Sequence, residues 1–202
     1  MSWPIEALDV FAYTFATIFL AELGDKTQLT ILSLSLGGRR APVLLGAFLA
    51  FSLVNGVSSA IGRLFHALFP FWAIRLSSAI AFIIIGFAGL AIALLRKEGM
   101  GDIRPGEEAE GLSKSTFMKS FIFICLAELG DKTQLATLSF SALTGLSSVV
   151  AISAISALMA MTVLTVLLGV ELASRLHERR AEVLAYAVFV AVGIFMLIWP
   201  SE

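Results

Sequence analysis

The chain has 202 residues, 58% of them hydrophobic and only 14% charged, whereas a soluble domain is roughly a quarter charged and less than half apolar. With a mean hydropathy of +0.94, it reads as an integral membrane protein with nearly all of its mass in the bilayer, which excludes a soluble globular domain. The net charge of −1 identifies no partner and gives no reason to expect nucleic acid, so the placement of charge matters more than its sum.

A helix of about 20 apolar residues spans a bilayer. Six such stretches can be marked, at about 8–36, 42–62, 72–95, 116–143, 147–172 and 181–199. Between the third and fourth lies a polar linker, 96–115, rich in glycine, acids and bases and containing Pro105. Trp3, Trp72 and Trp199 fall at predicted ends, as interfacial anchors do. The N-terminus shows no basic region followed by a cleavage site, so no removable signal peptide is expected. Cys125 has no second cysteine to pair with and reads as a small buried hydrophobe. His66 and His177 fall at predicted helix ends, away from any metal-ligand cluster.

The most informative stretch is Leu20-Ala21-Glu22-Leu23-Gly24-Asp25-Lys26-Thr27-Gln28-Leu29, which recurs unchanged 106 positions later as Leu126 to Leu135. Both copies lie inside long apolar segments. Ionisable residues at membrane depth are costly and face a partner, a cavity or an ion path. The repeat extends further: Leu32, Ser33 and Ser35 match Leu138, Ser139 and Ser141, and Phe82 and Gly86 match Phe189 and Gly193 at an offset of 107. The expected fold is therefore all-α, with six transmembrane helices as two three-helix repeats, 1–95 and 116–202, joined by the linker 96–115. Three is odd, so the second repeat enters the membrane from the opposite side, an inverted repeat of the kind found in transporters. Ten basic residues fall on one side of the predicted topology (Arg39, Arg40, Arg96, Lys97, Arg104, Lys114, Lys119, Arg175, Arg179 and Arg180), against Arg63 and Arg75 on the other. Basic loops stay in the cytoplasm. The linker is thus expected to be cytoplasmic and both termini outside.

On a helix, Glu22, Asp25 and Gln28 share one face, as do Glu128, Asp131 and Gln134. If the two faces oppose, four carboxylates and two amides converge. Hard oxygens without Cys or His suit Ca²⁺, Mn²⁺ or Mg²⁺ rather than zinc or copper. Thr27, Thr133, Ser33 and Ser139 would add hydroxyls, and Lys26 and Lys132 would balance charge. Gly24 and Gly130 permit close helix approach or local unwinding that frees carbonyls as ligands. Clustered carboxylates also take up protons, so metal and protons compete for the same groups. The structural alternative is an intrahelical pair at i,i+4, Glu22 with Lys26 and Glu128 with Lys132, which leaves both aspartates unexplained. Asn55, with Thr162 near its repeat position, serves interhelical hydrogen bonding or the site itself. Gly46, Gly56, Gly62, Gly86, Gly89, Gly169 and Gly193 read as packing positions.

Two copies of Glu-x-Gly-Asp-Lys/Arg-Thr/Ser, each in the first helix of a three-helix half, resemble the Gdt family of cation/proton antiporters, which includes bacterial manganese exporters and Golgi calcium/manganese exchangers. The resemblance covers essentially the whole chain. Glu22-Leu23-Gly24-Asp25-Lys26-Thr27 and Glu128-Leu129-Gly130-Asp131-Lys132-Thr133 fit it without departure. It implies export of Mn²⁺ or Ca²⁺ from the cytosol against inward protons. The motif acids would be the ligands, the metal would be cargo, and no resident cofactor is expected. A six-helix bacterial version in the inner membrane is implied, without the extra N-terminal segment of eukaryotic members. Selectivity, stoichiometry and oligomeric state stay open. The rival readings are a passive divalent-cation channel and an intramembrane aspartyl protease. The protease fits poorly, because Glu22 and Glu128 stand where its first glycine belongs. A carboxylate-bridged di-metal oxidase would require Glu-x-x-His, which is missing here.

Overall fold

The computed structural model describes residues 7–23, 25–35, 40–95, 116–175 and 178–198. Trp3, Gly24, His177, Trp199 and the linker 96–115 lie outside the described residues, as do the side chains of Lys26 and Ser33. Among the described residues the chain is all-helical, in the order α1 (Ala7–Ala21), α2 (Lys26–Ser35), α3 (Arg40–Leu68), α4 (Phe71–Leu95), α5 (Thr116–Glu128), α6 (Lys132–Thr144), α7 (Ser147–Arg175) and α8 (Glu178–Ile198). In lipid a backbone must satisfy its own hydrogen bonds, and a helix does so within one segment. The helices Arg40–Leu68 and Phe71–Leu95, and Ser147–Leu167 within α7, are long and apolar enough to cross a membrane; Ala7–Ala21 and Glu182–Ile198 are shorter apolar helices. Pro42 falls in the first turn of α3, where an N–H has no intrahelical partner to lose. Pro70 separates α3 from α4, and its carbonyl accepts the first amide bond of the new helix, from Ala73 at 3.0 Å.

One sequence expectation is corrected. The stretches 8–36 and 116–143 are not continuous helices. Each breaks inside its decapeptide, α1 giving way to α2 and α5 to α6. The cause is visible in the second copy, where Gly130 adopts φ +81°, a left-handed conformation that ends a right-handed helix. The sequence leaves close helix approach and local unwinding both open at this glycine, and the backbone at Gly130 takes the second.

The helices pack chiefly across the two halves of the chain. α1 lies on α7 as α5 lies on α3, while α3 meets α7 and α4 meets α8. Phe82 of α4 and Phe189 of α8, repeat equivalents, stack at 4.9 Å between ring centroids, and Phe140 of α6 joins them at 5.7 Å from Phe82. α3 approaches α5 and α6 closely through Gly46 and Gly62. A Cβ at Gly46 would stand 2.8 Å from the Phe117 carbonyl, and one at Gly62 would collide with the Leu138 carbonyl. Hydroxyls stitch the halves together: Ser141 donates to the Ser59 carbonyl at 2.6 Å, Ser153 to the Phe11 carbonyl at 2.7 Å, and Thr137 to Asn55 Oδ1 at 2.8 Å. Such bonds average about 0.6 kcal/mol each in membrane proteins, so they fix register more than they supply stability. Large apolar side chains, among them Leu45, Leu53, Trp72, Ile84, Phe87 and Ile152, remain exposed on the outside, as lipid-facing positions require.

Candidate metal centre

Each decapeptide forms a turn between two helix ends. In the first, Leu23 N–H bonds to the Leu20 carbonyl at 3.3 Å and Asp25 N–H to the Glu22 carbonyl at 3.2 Å, so the regular ladder stops at α1. In the second, Asp131 N–H bonds to the Glu128 carbonyl at 3.3 Å, and Gly130 N–H donates to Gln134 Oε1 at 2.6 Å. Glu22 and Glu128 thus sit at the carbonyl ends of α1 and α5, where partial negative charge gathers and a cation is favoured. Asp25 and Asp131 immediately precede α2 and α6, whose amide ends favour negative charge. Broken helices whose ends face one centre at membrane depth are the usual way a transporter builds an ion site.

The two turns meet. Carboxylate oxygens of Glu22, Asp25 and Asp131 all lie within 4.8 Å of one another. Lys132 reaches across from the second half: its Nζ is 2.8 Å from Asp25 Oδ1 and 4.0 Å from Glu22 Oε1. The lysine therefore pairs between repeats, where the local alternative was Glu128, four residues before it. Glu22 is fully buried, and neither of its oxygens has a hydrogen-bond partner among the described residues. A buried polar atom left unsatisfied costs about 1–3 kcal/mol, and a charged one more. A cation or a proton held against Glu22 would relieve that cost, so its oxygens are candidate ligands.

The remaining candidates occupy distinct positions. Glu128 is buried next to this cluster, and its Oε2 accepts from Thr133 at 3.0 Å. Gln28 Oε1 accepts from Thr165 of α7 at 2.9 Å, while its Nε2 is buried without a partner among the described residues. Gln134 turns back on its own loop, to Gly130. Thr27 and Ser139 are buried. Asn55 accepts from Thr137 and donates to the Phe51 carbonyl at 3.0 Å, serving the contact of α3 with α6. Three residues next to the centre lie outside the repeated string and carry no sequence signal: Thr165, Glu182 and Tyr186. The last two line, with Asp25 and Lys132, a cavity of about 160 Å³.

The sequence profile of the divalent cation/proton antiporter GDT1 family matches residues 10–97 and 116–201. The chain belongs to this family. Among curated relatives, it is 32% identical over 157 residues to GDT1-like protein 2, chloroplastic, of Oryza sativa subsp. japonica, a match covering 65% of this chain and 45% of that protein. It is 34% identical over 134 residues to a Vibrio cholerae protein named "Putative manganese exporter", covering 64% of this chain and 60% of that one. Protein PAM71, chloroplastic, of Arabidopsis thaliana is 27% identical over 153 residues, covering 65% and 41%. The chain thus matches about half the length of these relatives. No solved structure matches the chain. Membership places the all-helical, apolar architecture within a family described as divalent cation/proton antiporters.

Proposed function

We propose that this GDT1-family chain exports a divalent cation, Mn²⁺ or Ca²⁺, from the cytosol in exchange for protons. The site lies between two inverted three-helix repeats, 1–95 and 116–202, with the linker 96–115 cytoplasmic and both termini outside a bacterial inner membrane. The observation that carries this reading is the convergence of Glu22 and Asp25 from one half with Asp131 from the other. Three carboxylates gathered from two chain segments, one of them fully buried, form a set of hard oxygen ligands. Glu128, held by Thr133, supplies the fourth acid. Gln28 and Gln134 have their amide oxygens engaged by Thr165 and Gly130, so in this reading they brace the turns. Thr27, Thr133 and Ser139 are buried hydroxyls available to the centre, and Lys132 sets its charge.

Exchange follows from a shared set of groups. The same carboxylates carry either the metal or protons, so loading one releases the other. The ten-to-two distribution of basic residues supports the orientation. The family description and the manganese exporter among the relatives support the cargo and the counter-ion.

The test is purified protein in liposomes, with an internal pH dye and imposed gradients of Mn²⁺, Ca²⁺ or Mg²⁺. Metal flux accompanied by opposite proton flux is the expected result. Metal flux indifferent to the proton gradient would make the protein a channel, and absence of metal flux would defeat the reading.

A further inference from the structure

Lys132 is a cation already held inside the centre. Its ammonium lies against Asp25 and within ion-pair range of Glu22, two of the three acids that converge here, so a divalent ion bound by the same oxygens would compete with it for that space. Two cations cannot share that space, because their repulsion rises steeply as water is excluded. Metal binding therefore requires the ammonium to leave. An ammonium at membrane depth needs another anion to move to.

The cavity beside Lys132 shows where it can go. Its walls include Leu23, Asp25, Ile92, Glu182 and Tyr186 as well as Lys132 itself. Glu182 and Tyr186 are four residues apart on α8, so they share a face one turn apart. The Lys132 ammonium already stands 6.0 Å from the centroid of the Tyr186 ring, within the range of a cation–π contact. The lysine stem is flexible and its ammonium is a point charge that can change partners without reshaping the backbone. At the 107-residue offset that relates α4 to α8, the position matching Glu182 is Arg75, so the first half places no acid there.

We propose that Glu182 receives the Lys132 ammonium, which moves past the Tyr186 ring, when a divalent cation takes its place between Glu22, Asp25 and Asp131. This inference rests on the metal-site reading above and adds to it a positioning residue outside the motifs. Glu182 stabilises the metal-loaded form by pairing the displaced lysine, and so sets the affinity of a centre it does not ligate.

The experiment measures Mn²⁺ binding to the full chain in detergent by electron paramagnetic resonance, with Ca²⁺ as competitor. Glu182→Gln is expected to weaken Mn²⁺ binding about tenfold, and Glu182→Asp to restore most of it. In a Lys132→Met background, Glu182→Gln should have almost no effect, since there is no ammonium to receive. An equal loss in both backgrounds would overturn the proposal, because Glu182 would then act on the metal directly. A second readout keeps Lys132 in place and does not depend on that variant folding. The chain has two tyrosines, so Tyr13→Phe leaves Tyr186 as the sole tyrosine reporter. Mn²⁺ should shift its near-ultraviolet absorption, and Glu182→Gln should abolish the shift. Metal binding that leaves the Tyr186 spectrum unchanged would also overturn the proposal. A wild type that binds neither Mn²⁺ nor Ca²⁺ removes the metal site itself, whereas normal binding unaffected by Glu182→Gln removes only this inference.

Discussion

Lys132 Nζ of the second half lies 2.8 Å from Asp25 Oδ1 of the first. The two residues are not repeat equivalents: the counterpart of Asp25 is Asp131, and that of Lys132 is Lys26. The pair therefore couples the two halves at the point where the acids collect. Lys132→Gln should leave Glu22, Asp25 and Asp131 without this buried countercharge. Removing one partner of a buried ion pair costs about 3–5 kcal/mol. The variant should unfold at lower temperature in detergent. Mn²⁺ should recover most of the loss, because a ligand that binds only the folded state stabilises it by mass action. Thermal unfolding with and without Mn²⁺ checks both statements. A variant as stable as the wild type without metal would show that the pair contributes nothing.

The acids should not respond alike. Glu22→Gln, Asp25→Asn and Asp131→Asn each remove charge from the three-carboxylate cluster and should each abolish coupled transport while the protein still inserts. Glu128→Gln should also cripple transport but retain more metal binding, because Glu128 stands outside the cluster and is held by Thr133. Asp25→Asn carries a second effect, the loss of the Lys132 partner. Combining it with Lys132→Gln should therefore cost less stability than the two single losses added together. Metal titration and thermal unfolding of the four single variants and this double variant give the ranking. Full coupled transport in any of the three cluster variants would remove that residue from the site.

Gly130 provides a test of the turn separate from the charges. Its φ is +81°, yet a Cβ there would meet no atom within 4 Å. Alanine would thus be limited by backbone conformation and not by space. A left-handed conformation costs an L-residue about 1–2 kcal/mol. Gly130→Ala should lose about that much stability and weaken metal binding, since the turn positions Asp131 and offers its N–H to Gln134. Gly130→Asn should recover part of the loss, because Asn tolerates this region better. Equal stability of the alanine variant and the wild type would contradict the turn geometry.

The acids of the centre were legible in the sequence because an identical charged string inside two apolar segments has no bland explanation. The all-helical class was legible because composition alone demands it. The helix breaks were legible only as one of two options at Gly24 and Gly130, close helix approach or local unwinding, because one glycine does not reveal its φ. The partner of Lys132 was not legible. Glu128 four residues earlier satisfies every local rule, and only packing of the halves brings Asp25 closer. Glu182 and Tyr186 belong to no repeat or motif, so nothing marked them before the cavity placed them beside Lys132.

Asn55 and Thr162, which occupy corresponding positions in α3 and α7 at the 107-residue offset, lead to a prediction of opposite signs. Asn55 is buried and fully used: Oδ1 accepts from Thr137 and Nδ2 donates to the Phe51 carbonyl. Thr162 is equally buried, but its hydroxyl has no hydrogen-bond partner among the described residues. Asn55→Leu keeps the volume and leaves the Thr137 hydroxyl unpaired, an expected loss of about 1–3 kcal/mol. Thr162→Val replaces the unpaired hydroxyl with a methyl of similar shape. It removes a desolvation cost without breaking a bond, so it should be neutral or stabilising. Thermal unfolding of the two variants decides between the outcomes. A destabilised Thr162→Val would mean that this hydroxyl gains a partner in another state of the transport cycle, and the same variant assayed for transport would then be slowed. A stable and fully active Thr162→Val together with a destabilised Asn55→Leu would show that the two halves, alike in their motifs, divide the polar work of the core unequally.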